Sequence, residues 1–222
     1  MIGLIIAMDK ELFPYLNENT RKKTIGGKEF FEFEISGKPC VAVKSGIGKV
    51  NAAYATTLLI ENYRPEFIVS TGISGGLGRC KLLDIVVATA CVQYDVDTTA
   101  LGDELGFVST VNKVYFESDS TLTDAFFKGI SAKKVIFASG DRFVADDKSA
   151  RFIADTFNAS ACDMESGSIA QIAYITQTPF IAVRCISDGA DDGAALSYEK
   201  LTDSASIKLA DIVKKGIKSL VI

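Results

Sequence analysis

Six short runs of consecutive apolar residues, at 2–8, 40–44, 67–71, 84–92, 134–139 and 180–186, constrain the fold of this 222-residue chain most. Stretches such as FIVS, DIVVA, KVIFA and FIAV are apolar residue after residue, which is how strands buried on both faces read. Between them lie helical spacings. Val50, Ala53, Tyr54, Thr57 and Leu58 share one helical face, and Ile169, Ile172, Ala173 and Thr176 share a second. Tyr198, Leu201, Ala205, Leu209, Ile212 and Val213 form a third. The expected architecture is α/β: a three-layer sandwich with a central mixed, largely parallel sheet flanked by helices. No repeat, low-complexity tract or linker interrupts the pattern, so a single domain over 1–222 is expected.

In an open α/β sheet, ligands gather outside the carboxyl ends of the strands. Three segments carry acid where an apolar run stops: LIIAMDKE at 4–11, ACDMESGSIA at 161–170 and FIAVRCISD at 180–188. Helix capping explains acid at any one such joint, and it is the preferred reading of Asp163. Three joints in one chain point to a shared pocket. The chain also has no histidine, which removes the usual general base, the Ser-His-Asp and Cys-His arrangements and the commonest zinc ligand. Carboxylates are then the natural proton carriers.

A net charge of -4, with arginines only at 21, 64, 79, 142, 151 and 184, provides no basic field for nucleic acid and favours a small-molecule partner. The five cysteines lie mostly in apolar runs without C-x-x-C spacing and read as core residues in a reducing, cytoplasmic compartment. The run 2–8 meets Asp9, Lys10 and Glu11 at once and has no basic segment before it. Neither a membrane span nor a leader peptide is expected, nor is a metal site or organic cofactor.

Three loops are candidates for ligand contact. KSGIGKVNAA at 44–53 joins a strand to a helix through Gly46 and Gly48; it reads as a cradle of backbone N–H groups or as a tight turn needing positive φ. STGISGGLG at 70–78 reads as a second glycine-rich turn, without the spacing of a dinucleotide fingerprint. ASGDRFVADD at 138–147 places Phe143 in a polar turn, either to stack on a flat heterocycle or to plug the sheet edge. The segment from Tyr94 to Ser120 is the least periodic and reads as a subunit contact or a surface excursion.

SGIGKVNAA, STGISGGL, DIVVA, SGDRFV, DMES and RCISDGAD, with AMDKE before them, occur in an order that resembles the 5′-methylthioadenosine/S-adenosylhomocysteine nucleosidases of the nucleoside phosphorylase superfamily. The likeness spans nearly the whole chain. It implies hydrolysis of the N-glycosidic bond of an adenine nucleoside with a thioether at the 5′ carbon, through an oxocarbenium-like transition state. By this resemblance Asp188 is the general acid at adenine, supported by Ser187, and Glu11 activates the water. Glu165 would hold the ribose hydroxyls, with Met164 lining the sugar and Arg184 helping to hold the water and order the acids. Phe143 would stack on adenine, Val144 would read its edge through the backbone, and Ile47 would close the pocket. A homodimer, with 94–120 reaching the neighbour's site, is implied as well.

Three positions depart from the family pattern. Ile73 stands where a TGSAGG-like turn has serine, and Leu101 and Asp103 replace aromatic residues expected near the alkylthio group. Three alternatives follow: a phosphate-dependent nucleoside phosphorylase, a nucleosidase for another 5′-substituted adenosine such as aminofutalosine, and a noncatalytic nucleoside-binding protein. A phosphorylase would need cationic donors around its phosphate, and no arginine lies between Arg64 and Arg79.

Overall fold

In the computed structural model, which describes residues 1–220, every one of the six apolar runs becomes a strand. The elements are β1 (Ile2–Ile6), α1 (Asp9–Leu12), β2 (Arg21–Ile25), β3 (Lys28–Ile35), β4 (Lys38–Lys44), α2 (Lys49–Tyr63), β5 (Phe67–Gly75) and β6 (Ile85–Gln93). They continue with β7 (Tyr115–Glu117), α3 (Ser120–Phe126), β8 (Lys133–Ser139), α4 (Asp147–Phe157), β9 (Ala159–Asp163), α5 (Ser166–Ile175), β10 (Phe180–Asp188) and α6 (Ala194–Ser219).

The sheet is mixed. β1 lies parallel between β4 and β5, and β5 pairs parallel with β10. β6, β8 and β9 are parallel neighbours, while β10 meets β6 antiparallel. β9 returns to β5 through the antiparallel pair Gly75 and Cys162, so β5, β10, β6, β8 and β9 close on themselves. β1, β4, β3 and β2 extend outward from β5. Closure gathers several strand ends around one opening, which is where the cavity forms.

Helices cover both faces, as consecutively apolar strands require. On one face Ile5, Val43, Ala52, Ala55, Leu59, Ile169 and Ala173 share a core beneath α2 and α5. On the other, Leu4, Ile6, Leu12, Leu209, Val213 and Ile217 pack under α1 and α6. α4 supplies Ala150, Ile153, Ala154 and Phe157 to a third cluster against β8 and β9.

Two local expectations change, and one hairpin adds to the strands read from the sequence. The apolar face read on α2 is its outer one: Val50 is 80% and Tyr54 46% exposed, while Ala52, Ala55, Thr56 and Leu59 are buried. Small residues win the inner face because α2 packs closely on α5. STGISGG is not a turn, since β5 runs on through Gly75, and its glycines serve close approach instead. The β2–β3 hairpin, turned at Gly26 and Gly27 with φ of 56° and 75°, alternates charge with Phe31, Phe33 and Ile35 and so lacks a continuous apolar run.

Candidate active site

A cavity of about 350 Å³ opens at the carboxyl ends of the strands. Ala7 and Met8 reach it from the end of β1, Ile73 to Gly75 from β5, Cys162 to Glu165 from β9, and Ser187 and Asp188 from β10. The loop after β8 adds Arg142, Phe143 and Val144; the loop after β4 adds Ile47; α6 adds Ala195 and Tyr198. All the site residues expected from the sequence line this one cavity except Arg184.

Asp188 closes β10 and is 2% exposed. Its Oδ2 accepts a 2.8 Å hydrogen bond from Ser187 Oγ, and its Oδ1 accepts one of 2.9 Å from the Ala190 N–H. Burial pushes its carboxyl up from the ordinary 3.8, and these two donors offset only part of that. Gly75 permits the placement, since a Cβ there would lie 2.9 Å from Asp188 Oδ1.

Glu11 comes from α1, the single helical turn that follows β1, and is 5% exposed. Each carboxylate oxygen takes one backbone donor: Met8 N–H to Oε2 at 3.0 Å and Ile73 N–H to Oε1 at 2.9 Å. Burial raises its pKa above 4.5, against those donors and the charge of Arg184. Ile73 thus keeps a backbone role at this acid although its side chain is apolar.

Glu165 and Asp163 divide the work at the start of α5. Asp163 accepts from the Ser166 N–H at 3.2 Å and from the Ser166 hydroxyl, which is capping in the expected sense. It also pairs with Arg184 at 2.7 Å and accepts from Ser139 Oγ at 2.5 Å. Glu165 makes no side-chain cap of its own helix and reaches across to the Gly48 N–H at 2.9 Å. Burial first, and then the charge of Asp163, raise its pKa.

Arg184, expected to help hold the water and order the acids, lies behind the wall of the main cavity. It is 2% exposed, and its terminal nitrogens bond Asp163, Ser166 Oγ at 2.7 Å, Ser70 Oγ at 3.0 Å and the Val183 carbonyl at 3.0 Å, while its Nε has no hydrogen-bond partner among the described residues. It sits behind the wall, bordering with Glu11 and Glu165 an internal void of about 10 Å³. Ordering the acids is within its reach, and the void it shares with Glu11 and Glu165 is the size of one water.

Aromatic residues frame the mouth. Phe143 is 44% exposed and meets Tyr198 edge-on, with ring centroids 5.5 Å apart and planes at 77°. The Tyr198 hydroxyl donates to Met8 Sδ at 3.2 Å. Ile47 is 50% exposed on the opposite loop, and Met164 lines the wall beside Glu165. Tyr198, Met8, Arg142 and Cys162 are lining residues the sequence reading passed over. Tyr198 had a usable signal: it stands one turn into a helix that starts just after the acidic loop 188–192.

Comparison with known proteins bears on the family and the fold. The family described as the Phosphorylase superfamily matches residues 1–218. A 5′-methylthioadenosine/S-adenosylhomocysteine nucleosidase of Halalkalibacterium halodurans is 38% identical over 221 residues, covering 96% of this chain and 95% of that protein. The solved nucleosidase of Neisseria meningitidis in complex with methylthio-immucillin-A superposes with a TM-score of 0.92 at 35% identity, covering 99% of each chain. A futalosine hydrolase mutant of Helicobacter pylori superposes with a TM-score of 0.93 at 28% identity, again covering 99% of each. With its acids gathered at the strand ends and its whole length matched, the chain belongs to the 5′-methylthioadenosine/S-adenosylhomocysteine nucleosidase family of the phosphorylase superfamily.

Proposed function

We propose that the protein hydrolyses the N-glycosidic bond of 5′-thio-substituted adenosines, 5′-methylthioadenosine and S-adenosylhomocysteine, releasing adenine and the thioribose. The observation that carries this reading is the meeting of three buried carboxylates, Glu11, Glu165 and Asp188, in one cavity with an exposed aromatic face at its mouth.

The surroundings of each residue support the role that the family resemblance implies for it. Asp188, whose carboxyl burial pushes up from the ordinary 3.8, donates to adenine N7 and makes the base a better leaving group. Glu11, its oxygens fixed by two backbone N–H groups, takes a proton from the attacking water. Glu165 accepts from the ribose hydroxyls, with Met164 against the sugar. Phe143 stacks on the base and the Val144 backbone reads its edge, while Ser187 steadies Asp188 and Ile47 covers the opening. Positive charge developing on the ribose is favoured by the ionised Glu11 carboxylate.

Water is preferred to phosphate as the nucleophile on electrostatic grounds. Arg184 is neutralised by Asp163, and Arg142 at the rim is paired with Asp146 at 2.8 Å. Glu11 would repel an anion approaching the sugar. Adenine release from methylthioadenosine, S-adenosylhomocysteine and adenosine, each with and without phosphate, tests the reading. Release from the thioethers without phosphate supports it, and strict phosphate dependence moves the chain to the phosphorylases.

A second reading, a nucleosidase for another 5′-substituted adenosine such as aminofutalosine, is supported by the likeness to the Helicobacter pylori futalosine hydrolase. Asp103, which accepts from Thr98 Oγ1 at 2.7 Å, lies in the segment where the 5′ substituent would be read. We also propose a homodimer in which 94–120 approaches the partner's site. Exposed Val50, Tyr54 and Leu101 supply apolar surface for it. Sedimentation at micromolar concentration tests this, and an active monomer would sink it.

A further inference from the structure

The loop that carries Phe143 is tied to the rest of the protein from two directions, and neither tie is part of the chemistry described above. On one side Asp141 Oδ1 accepts a 2.7 Å hydrogen bond from the backbone N–H of Lys49, the first residue of α2. On the other, the Asp141 N–H donates to Asp95 Oδ2 at 2.9 Å, just past the end of β6. Lys49 joins the two, since its Nζ reaches Asp95 Oδ1 at 2.5 Å and its side chain is only 16% exposed. The hydroxyl of Tyr94 adds a bond to the Arg142 carbonyl at 3.3 Å. Gly140 lets the loop lie against Tyr94, whose ring a Cβ there would overlap.

The adjacent amide of the same helix start, that of Gly48, is the one held by Glu165. A Cβ at Gly48 would lie 3.0 Å from Asp141 Oδ1, and the residue has a φ of 97°, so a side chain there is both strained and crowded. Two successive N–H groups at the positive end of α2 therefore fix two acids. One acid faces the sugar. The other holds the loop that presents Phe143.

We propose that Asp141 is a positioning residue: with Lys49 and Asp95 it locks the Phe143 loop onto the start of α2, setting the base platform at a fixed height above the sugar-binding acid. This rests on the nucleosidase reading for the identity of the base, but the geometry asks only for a planar ring at Phe143. Asp141 touches no ligand and acts through Phe143 alone. Lost order in the loop weakens base binding by about fivefold, the size of losing a charged acceptor at a helix start, and leaves the chemical step nearly unchanged.

The test is a cycle of Asp141→Ala, Phe143→Ala and the double variant, with Asp141→Asn as the conservative replacement. Adenine affinity is read by calorimetry, and KM and kcat for methylthioadenosine are read in parallel. The expected result is weaker adenine binding and a higher KM in Asp141→Ala at near-constant kcat, and recovery in Asp141→Asn. In the Phe143→Ala background the Asp141→Ala change adds nothing, because its effect runs through the ring. Losses that multiply in the double variant, or an Asp141→Ala protein that binds adenine as the parent does, overturn the proposal. A parent that binds adenine but releases none from any nucleoside removes the nucleosidase reading, while the calorimetric cycle still decides the role of Asp141.

Discussion

The carboxylate of Glu165 accepts a 2.9 Å hydrogen bond from the backbone N–H of Gly48, a residue 117 positions earlier in the chain. The bond is available because Asp163, two residues before Glu165, takes over the capping of α5 and the pairing with Arg184. Glu165 is left buried, without a cation of its own, at the start of a helix it does not cap. Such an acid is costly to ionise, and it is retained where a ligand can use it.

That cost has a sign in pH. Burial and the Asp163 charge raise the Glu165 pKa above 4.5, so its contribution to stability is complete below its unfolded value and is lost as pH rises through the folded one. Glu165→Gln removes the group that must ionise. Its melting temperature should exceed that of the parent by about 2–4 °C at pH 8, if roughly 1 kcal/mol is recovered, and match it near pH 4.5. Adenine release should fall in the same variant. Thermal scans at the two pH values decide the point, since an equal shift at both would mean that ionisation is not what destabilises the parent.

Asp188→Asn keeps the shape of the acid and one oxygen for the Ala190 N–H, with the Ser187 hydroxyl turning to accept from the new amide, but it has no carboxyl proton to give. The expected loss in kcat is about 10²–10⁴-fold, the usual range for a general acid, with nucleoside affinity largely kept. Single-turnover kinetics with a separate binding titration measures both. Near-normal turnover would remove Asp188 as the acid.

Glu11 must be ionised to take a proton from water, and burial lifts its pKa above 4.5. The acid limb of the kcat/KM profile should therefore lie above pH 4.5, with activity falling as pH drops through it. Asp188 must be protonated, so its titration sets the alkaline limb, also displaced upward from 3.8. Glu11→Gln should trap bound nucleoside with little adenine released. Brisk hydrolysis by that variant would place the water-activating group elsewhere.

The acids were legible in the sequence because each follows a buried strand, a place where charge is rare unless it is used. Glu11, Glu165 and Asp188 all reach the cavity, as does Phe143 from its polar turn. Arg184 was less legible, since its partner Asp163 belongs to another strand and spacing along one strand does not reveal which acid claims a cation. The orientation of α2 was misread for a related reason. Val50 and Tyr54 look like a core face until Ala52 and Ala55 are weighed for how closely they let α5 approach. Tyr198 lies on a helix face that is core along most of its length and cavity wall only at its first turn.

The glycines of β5 give the sharpest test of whether the two acids act separately. A Cβ on Gly72 would lie 2.6 Å from Glu11 Oε1 and 3.2 Å from its Cδ, while one on Gly75 would lie 2.9 Å from Asp188 Oδ1. Neither glycine has a positive φ, so alanine introduces crowding without backbone strain. Glu11 cannot retreat without giving up the Ile73 or Met8 donor. Overpacking of this kind costs about 1–3 kcal/mol, enough for a fall in kcat of about 5- to 150-fold when it falls on a reacting group. Gly72→Ala should therefore displace the acid limb of the pH profile and Gly75→Ala the alkaline one, each leaving the other limb in place. Profiles of kcat/KM against pH for the two variants measure this directly. A shift of both limbs by either glycine would mean that the acids titrate as one coupled unit, and an unchanged rate in Gly72→Ala would put Glu11 outside the reaction.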